Sequence, residues 1–197
     1  MRFVPTDKNI TDALRYMGVP PGSHTEELTR TVSEAFGRLE GYISPRFVWG
    51  RFHITHFDGG IELEGAKIFS KDISRLTSRS NDCIILAATL GHETDRQITI
   101  AQNMNMLEGL ALDACASVRI DAYIDDVMRS EISAGLRENE RMTTRFSPGY
   151  GDLSMNVTED IIAILSATKR IGLSVTRSLM MSPVKSVTAI TGLFMKE

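Results

Sequence analysis

The run CIILAATLG at residues 83–91 constrains the fold of this chain more than any other segment. It is continuously apolar, too brief for a core helix, and ended by glycine, so it reads as a buried strand. We expect it to be the central strand of a sheet. At 197 residues and 21.8 kDa, the chain has room for one large domain or two small, closely packed ones. Its 42% hydrophobic and 24% charged residues are ordinary for a globular protein, so a core can be built around that strand.

The flanking segments supply layers for such a sheet. Ile10, Leu14 and Met17 recur at helical spacing, predicting a first helix over residues 11–17 that Gly18, Pro20 and Pro21 stop. Ser23 with Glu26 has the capping-box spacing, and Leu28, Val32, Ala35, Phe36 and Leu39 mark one face of a second helix. Residues 44–69 are rich in β-branched and aromatic types with a Gly59-Gly60 break, predicting antiparallel strands, and a short helix follows over 71–77. Residues 92–136 read as two helices broken near 103–105, the second carrying Ala111, Ala114, Ala116 and Ala122 for close packing. Asn156 with Glu159 is expected to cap a helix that buries Ile161, Ile162, Leu165 and Ile171 and ends at Gly172. A strand over 186–194 closes the chain. This order lacks regular βαβ alternation, so the expected class is α+β, a mainly antiparallel twisted central sheet flanked by helices. Residues 1–40 form an N-terminal helical segment, expected to pack with 41–197 as one compact unit.

Several function classes are disfavoured. The net charge of -3 and the scatter of 22 basic residues leave no stripe to neutralise nucleic acid. No charged and apolar leader opens the chain and no apolar run approaches the roughly 20 residues of a membrane span, so a cytoplasmic protein is expected. Cys83 and Cys115 lie in apolar runs, where thiols act as small core hydrophobes. His53 and His56, three apart in a strand, point to opposite faces and do not make a metal pair. Gly91-His92-Glu93 reads as a helix start, and Asp125-Asp126 as a solvated face.

The segment RFSPGYGD at residues 145–152 carries most of the functional signal. A turn of this kind exposes backbone N–H groups, and glycine lets a ligand approach closely. Arginine offers a planar fork of donors for a carboxylate, and tyrosine a flat face for a ring or a sulfonium. From the residues alone the alternative stays open that Arg145 makes a surface ion pair and Pro148-Gly149 only a turn.

Arg145, Pro148, Gly149-Tyr150, the helix to Lys169, Val175-Thr176-Arg177-Ser178, Met181-Ser182-Pro183 and Ser186-Val187 stand here in order. That series resembles the C-terminal activation domain of cobalamin-dependent methionine synthase, in a stand-alone form. A looser similarity extends upstream through ATLG at 88–91 and LEGLALDACAS, covering residues 40–194. The resemblance implies that Arg145 anchors S-adenosylmethionine, that Phe146, Ser147, Pro148 and Gly149 line the adenosyl side, and that Tyr150 faces the ligand or a corrin. It also implies an acidic residue shortly before the arginine, for which Glu138 and Glu140 are both candidates.

The implied activity is reductive remethylation: the cobalt of a reduced corrinoid takes the methyl group of S-adenosylmethionine, and the protein aligns the reacting atoms without a general base. No Asp-x-His-x-x-Gly motif is present, so cobalamin is expected on a partner. That partner would be a methionine synthase chain or another corrinoid protein, with a flavodoxin or ferredoxin-like electron donor. A second reading is a non-catalytic sensor or scaffold for a corrinoid enzyme. Two departures stand out: the family's aromatics after Ser-Val are Thr188 through Phe194 here, and the later tyrosine pair of the long methionine synthases has no counterpart. Weak binding without a partner is therefore expected.

Overall fold

The structure, a computed structural model, describes residues 3–196. The first helix, α1 (Asp7–Tyr16), starts earlier than apolar spacing predicts because Thr6 and Asn9 form a capping box. In α2 (Glu26–Leu39) the cap is Thr25, whose hydroxyl accepts the Leu28 N–H at 3.2 Å, so the expected Ser23–Glu26 box does not form. Val32, Ala35, Phe36 and Leu39 are buried, as the helical spacing predicts.

Strands β1 (Arg46–His53), β2 (Thr55–Phe57), β3 (Gly60–Leu63) and β4 (Ala66–Phe69) occupy the predicted β segment, followed by α3 (Lys71–Leu76). Then come β5 (Asp82–Thr89), α4 (His92–Met104) and α5 (Met106–Val127), the last capped by Asn105, whose side chain accepts from Leu107 and Glu108. A π-helical turn (Met128–Ile132) ends that block and β6 (Glu140–Met142) follows. The predicted single helix after 156 is two, α6 (Val157–Ile164) and α7 (Ala167–Ile171), because Ser166 turns left-handed at φ 51°. Asn156 is itself helical and makes no side-chain cap, so its predicted role falls away. The chain closes with the short pair β7 (Ser174–Val175) and β8 (Met181–Ser182), then β9 (Ser186–Met195).

The main sheet runs β1-β5-β9-β6, with every neighbour antiparallel. Because β5 is interior and covered on both sides, its side chains alternate between two cores without changing polarity. Ile84, Leu86 and Ala88 enter a core shared with α1, α2 and α5. Cys83, Ile85 and Ala87 enter a second, shared with β3, α6 and α7. Double coverage is the physical reason the run is continuously apolar. Both cysteines are buried, which pushes each thiol up to about 12. No helix among the described residues is long and apolar enough to cross a membrane.

Candidate functional site

The segment after β6 keeps its course along β9. The Thr143 N–H donates to the Gly192 carbonyl, and Phe146 and Ile190 exchange backbone bonds of 2.8 and 2.9 Å. Arg145 is thereby held beside α5, where its Nη2 donates to Asp121 at 3.0 Å and its Nε lies 3.4 Å from Asp125. Those two carboxylates are one helical turn apart and share a face. Asp125 is therefore an arginine partner and not simply part of a solvated face with Asp126.

Beyond Phe146 the chain turns tightly. Tyr150 N–H donates to Ser147, Gly149 N–H to Leu153, and Leu153 N–H to Tyr150. The Gly149 and Tyr150 donors are thus consumed inside the loop, contrary to the expectation that the turn presents them outward. Gly149 has φ 91°, open to glycine and strained for other residues, and an added Cβ would lie 2.6 Å from the Met155 sulfur. Asp152 fastens the loop's far end, accepting from the Ser70 hydroxyl, from Lys71 N–H at 2.7 Å and from Asp72 N–H at 3.3 Å. The Ser70 bond and these backbone donors hold its carboxyl below the usual carboxylate range, against a rise from desolvation. Sequence reasoning missed this anchor, whose signal is the Ser70 cap of α3.

The loop, α6 and the start of β9 enclose a pocket of about 510 Å³. Arg145, Phe146, Ser147, Pro148 and Tyr150 line it, while Gly149 shapes the loop without entering the wall. The remaining wall comes from segments not singled out as a site: Asp121 of α5, Met155, Thr158 of α6, Met181 of β8, and Ser186 through Thr188. Asp95 steadies that strand end by accepting Val184 N–H at 2.7 Å. Lys185 Nζ reaches Asp113 at 3.0 Å and ties the same end to α5. Tyr16 of α1 stands nearby; burial, then the Asp121 carboxylate and Tyr150, raise its hydroxyl pKa. Volume and lining are those of a small-molecule site, apolar walls with a few convergent polar groups.

Glu138 and Glu140 do not join this pocket. Glu138 is exposed beside β6, and Glu140 is buried where β6 meets Met195. Seven residues of extended β9 separate Met195 from Thr188, a span of about 24 Å. Glu140 instead accepts from Arg51 Nη1 and Nη2 at 2.9 and 2.7 Å, and Asp82 completes that cluster. His53 Nδ1 lies 3.2 Å from Asp82 and His56 Nε2 3.0 Å from the Ser80 carbonyl, so each has a separate partner.

A doubly covered antiparallel sheet with a ligand-sized pocket at one strand end defines the class of domain to which this chain conforms. One solved structure, the reactivation domain of MetH bound to AdoHcy, superposes with a TM-score of 0.70 over 94% of this chain and 74% of its own, at 16% sequence identity. The chain therefore has the fold of the MetH reactivation domain. No family model matches the sequence, and no curated protein does.

Proposed function

We propose that the chain binds S-adenosylmethionine in the Arg145 pocket and supports reductive remethylation of the cobalamin carried by a separate methionine synthase or other corrinoid protein. The pocket of about 510 Å³ built around residues 145–150 carries the reading, in a fold whose solved representative holds AdoHcy. Its residues suit the ligand. Among the described residues Arg145 Nη1 donates no hydrogen bond, leaving part of the planar fork for a carboxylate. Phe146, Pro148, Tyr150 and Met155 offer apolar faces for the adenosyl group.

When bound, S-adenosylmethionine supplies a methyl group already activated by its sulfonium. What the chain contributes is orientation: Arg145 grips the amino-acid end, the loop fixes the nucleoside, and the exposed Tyr150 stands at the mouth where a partner's corrin would approach. Electrons would come from a flavodoxin or ferredoxin-like donor.

The first test is thermal. A ligand that binds only the folded state stabilises it by about 2.7 kcal/mol at a hundredfold excess over Kd. That raises the melting temperature by several degrees for a chain of this size. S-adenosylhomocysteine should give such a shift, and no shift at any soluble concentration would sink the reading. Single-turnover methylation of a reduced corrinoid protein by S-adenosylmethionine in the presence of the chain then separates a methyl-transfer component from a sensor, which would bind both partners but leave the rate unchanged.

A further inference from the structure

Residues 97–107 contain no charged side chain, in a protein of which 24% is charged. They span the corner where α4 ends and α5 begins, and their apolar members stay at the surface. Met104 and Met106 are 83% and 71% exposed, and Ile100, Leu107 and Leu110 lie between 37% and 44%. Single exposed apolar residues are ordinary, whereas a cluster of them marks a contact surface. A groove of about 180 Å³ opens beside the corner, with Ile100, Met104, Tyr42 and Leu112 among its walls. The ions bordering it are paired within the chain, Arg38 with Glu108 at 2.8 Å and Arg96 with Glu93 at 2.7 Å. A foreign partner finds no net charge there to recognise, and two copies of a chain of net charge -3 meet there without opposing like charges. What remains is the helix poles. The last turn of α4 has no basic residue, and α5 starts next to it, so a negative pole lies beside a positive one. A twofold axis in the contact plane can set each pole opposite its complement.

We propose that the α4–α5 corner is the contact surface of a homodimer, in which Met104, Met106 and Leu107 of each copy pack across a twofold axis. Methionine is unbranched and adapts its shape, which suits it to filling the groove of the opposite copy. A contact built on two helix ends is small, so association falls in the micromolar range. Leu107 lies about 21 Å along α5 from Asp121, so the dimer leaves both Arg145 pockets open. The contact is independent of which ligand that pocket takes.

Sedimentation equilibrium of the full chain, from micromolar to submillimolar concentration, tests it. Wild type should follow a monomer–dimer equilibrium. Met104→Glu and Met104→Lys change a side chain that already lies in water, so each variant should fold and melt as the wild-type monomer does. Each sets like charges across the axis and should weaken dimerisation by about tenfold or more. An equimolar mixture of the two should associate again, because opposite charges then meet, and added salt should weaken the mixture while sparing wild type. A wild type that stays monomeric over the whole range would overturn the proposal. So would a dimer that Met104→Glu leaves intact, or a mixture that stays monomeric, since either result places the contact elsewhere.

Discussion

Two arginines in this molecule each face two carboxylates, and they differ in what they leave free. Arg51 uses Nε, Nη1 and Nη2 in four hydrogen bonds to Asp82 and Glu140, all between 2.6 and 2.9 Å. It links β1 to β5 and reaches Glu140 on β6 across the end of the sheet. Arg145 makes one hydrogen bond and one looser contact, to carboxylates that are themselves 43% and 55% exposed. A guanidinium with its donors committed to one buried and one half-buried acid acts as a strut, whereas one with donors unspent beside a cavity is available to a ligand. The sharpest experiments ask whether the first affects only folding and the second only binding.

The largest effect is expected at the strut. Glu140→Ala removes two bonds to Arg51 and leaves a partly buried cation short of partners, which should lower stability by about 3 kcal/mol. Ligand affinity per folded molecule should not change, since the residue lies about 17 Å along β9 from Ile190, the strand position bridged to the pocket residue Phe146. Urea denaturation paired with calorimetry measures both. The same cluster fixes the acid limit of the fold. Asp82 is held low chiefly by its bond from Arg51; Glu140 is raised by burial but lowered further by Arg51 and the Arg137 N–H. Both folded values lie below the unfolded ones, so their contribution is complete above about pH 4 and is lost as pH falls through the depressed values. Wild type should lose stability steeply in that acid window, and Glu140→Ala should lose less. A parallel acid dependence in the two proteins would remove Glu140 from this role.

Next in size is Arg145→Ala, which should weaken S-adenosylmethionine binding by about 1.5–3 kcal/mol, the worth of a charge-assisted hydrogen bond. The free protein should lose less than about 1 kcal/mol, because its pairs with Asp121 and Asp125 are solvated. The opposite pattern, a lowered melting temperature with unchanged affinity, would make Arg145 a second strut and erase the contrast with Arg51.

How much of this was legible in the sequence differs between the two cores and the site. The β5 run could be read because double coverage demands an apolar side chain at every position, and no other short segment here has that texture. The loop 145–152 could be read because an arginine, a proline, two glycines and a tyrosine rarely crowd together without a ligand or a tight turn to require them. Asp121 and Asp125 were hidden for the reverse reason: acids four apart on a helix look like solvated surface until tertiary packing brings Arg145 against them. Glu140 misled because proximity in sequence to Arg145 is cancelled by an extended backbone, which carries it away along β9. The caps failed at Ser23 and Asn156 because neighbouring residues, Thr25 and the turn at 154–157, fix where each helix begins.

A smaller effect is expected from the loop's backbone. Gly149→Ala places a side chain at φ 91° and against the Met155 sulfur, a strain of about 1–2 kcal/mol. Because Met155 lines the pocket and Gly149 does not, the strain should appear partly as lost stability and partly as weaker binding through a displaced methionine. Met155→Ala in the same background should restore part of the affinity by making room. If Gly149→Ala binds like wild type at full stability, the loop tolerates a left-handed alanine and its shape is not what holds the site.

The finest distinction is between charge and fork at Arg145, and Arg145→Lys addresses it. Lysine keeps the positive charge and can still approach Asp121, so electrostatic attraction between the site and a carboxylate persists. What it loses is the planar arrangement that lets one edge of the guanidinium engage helix α5 while another faces the pocket. An ammonium is a single point of charge on a flexible stem; drawn toward two acids on α5, it has little reason to project into the cavity. The variant should therefore recover only about half of what alanine loses, a deficit of about 1 kcal/mol against wild type. Calorimetry on wild type, alanine and lysine variants at one ionic strength gives the three values. Full recovery by lysine would mean that the site attracts its ligand by charge alone, and the division of labour between the edges of Arg145 would then have no support.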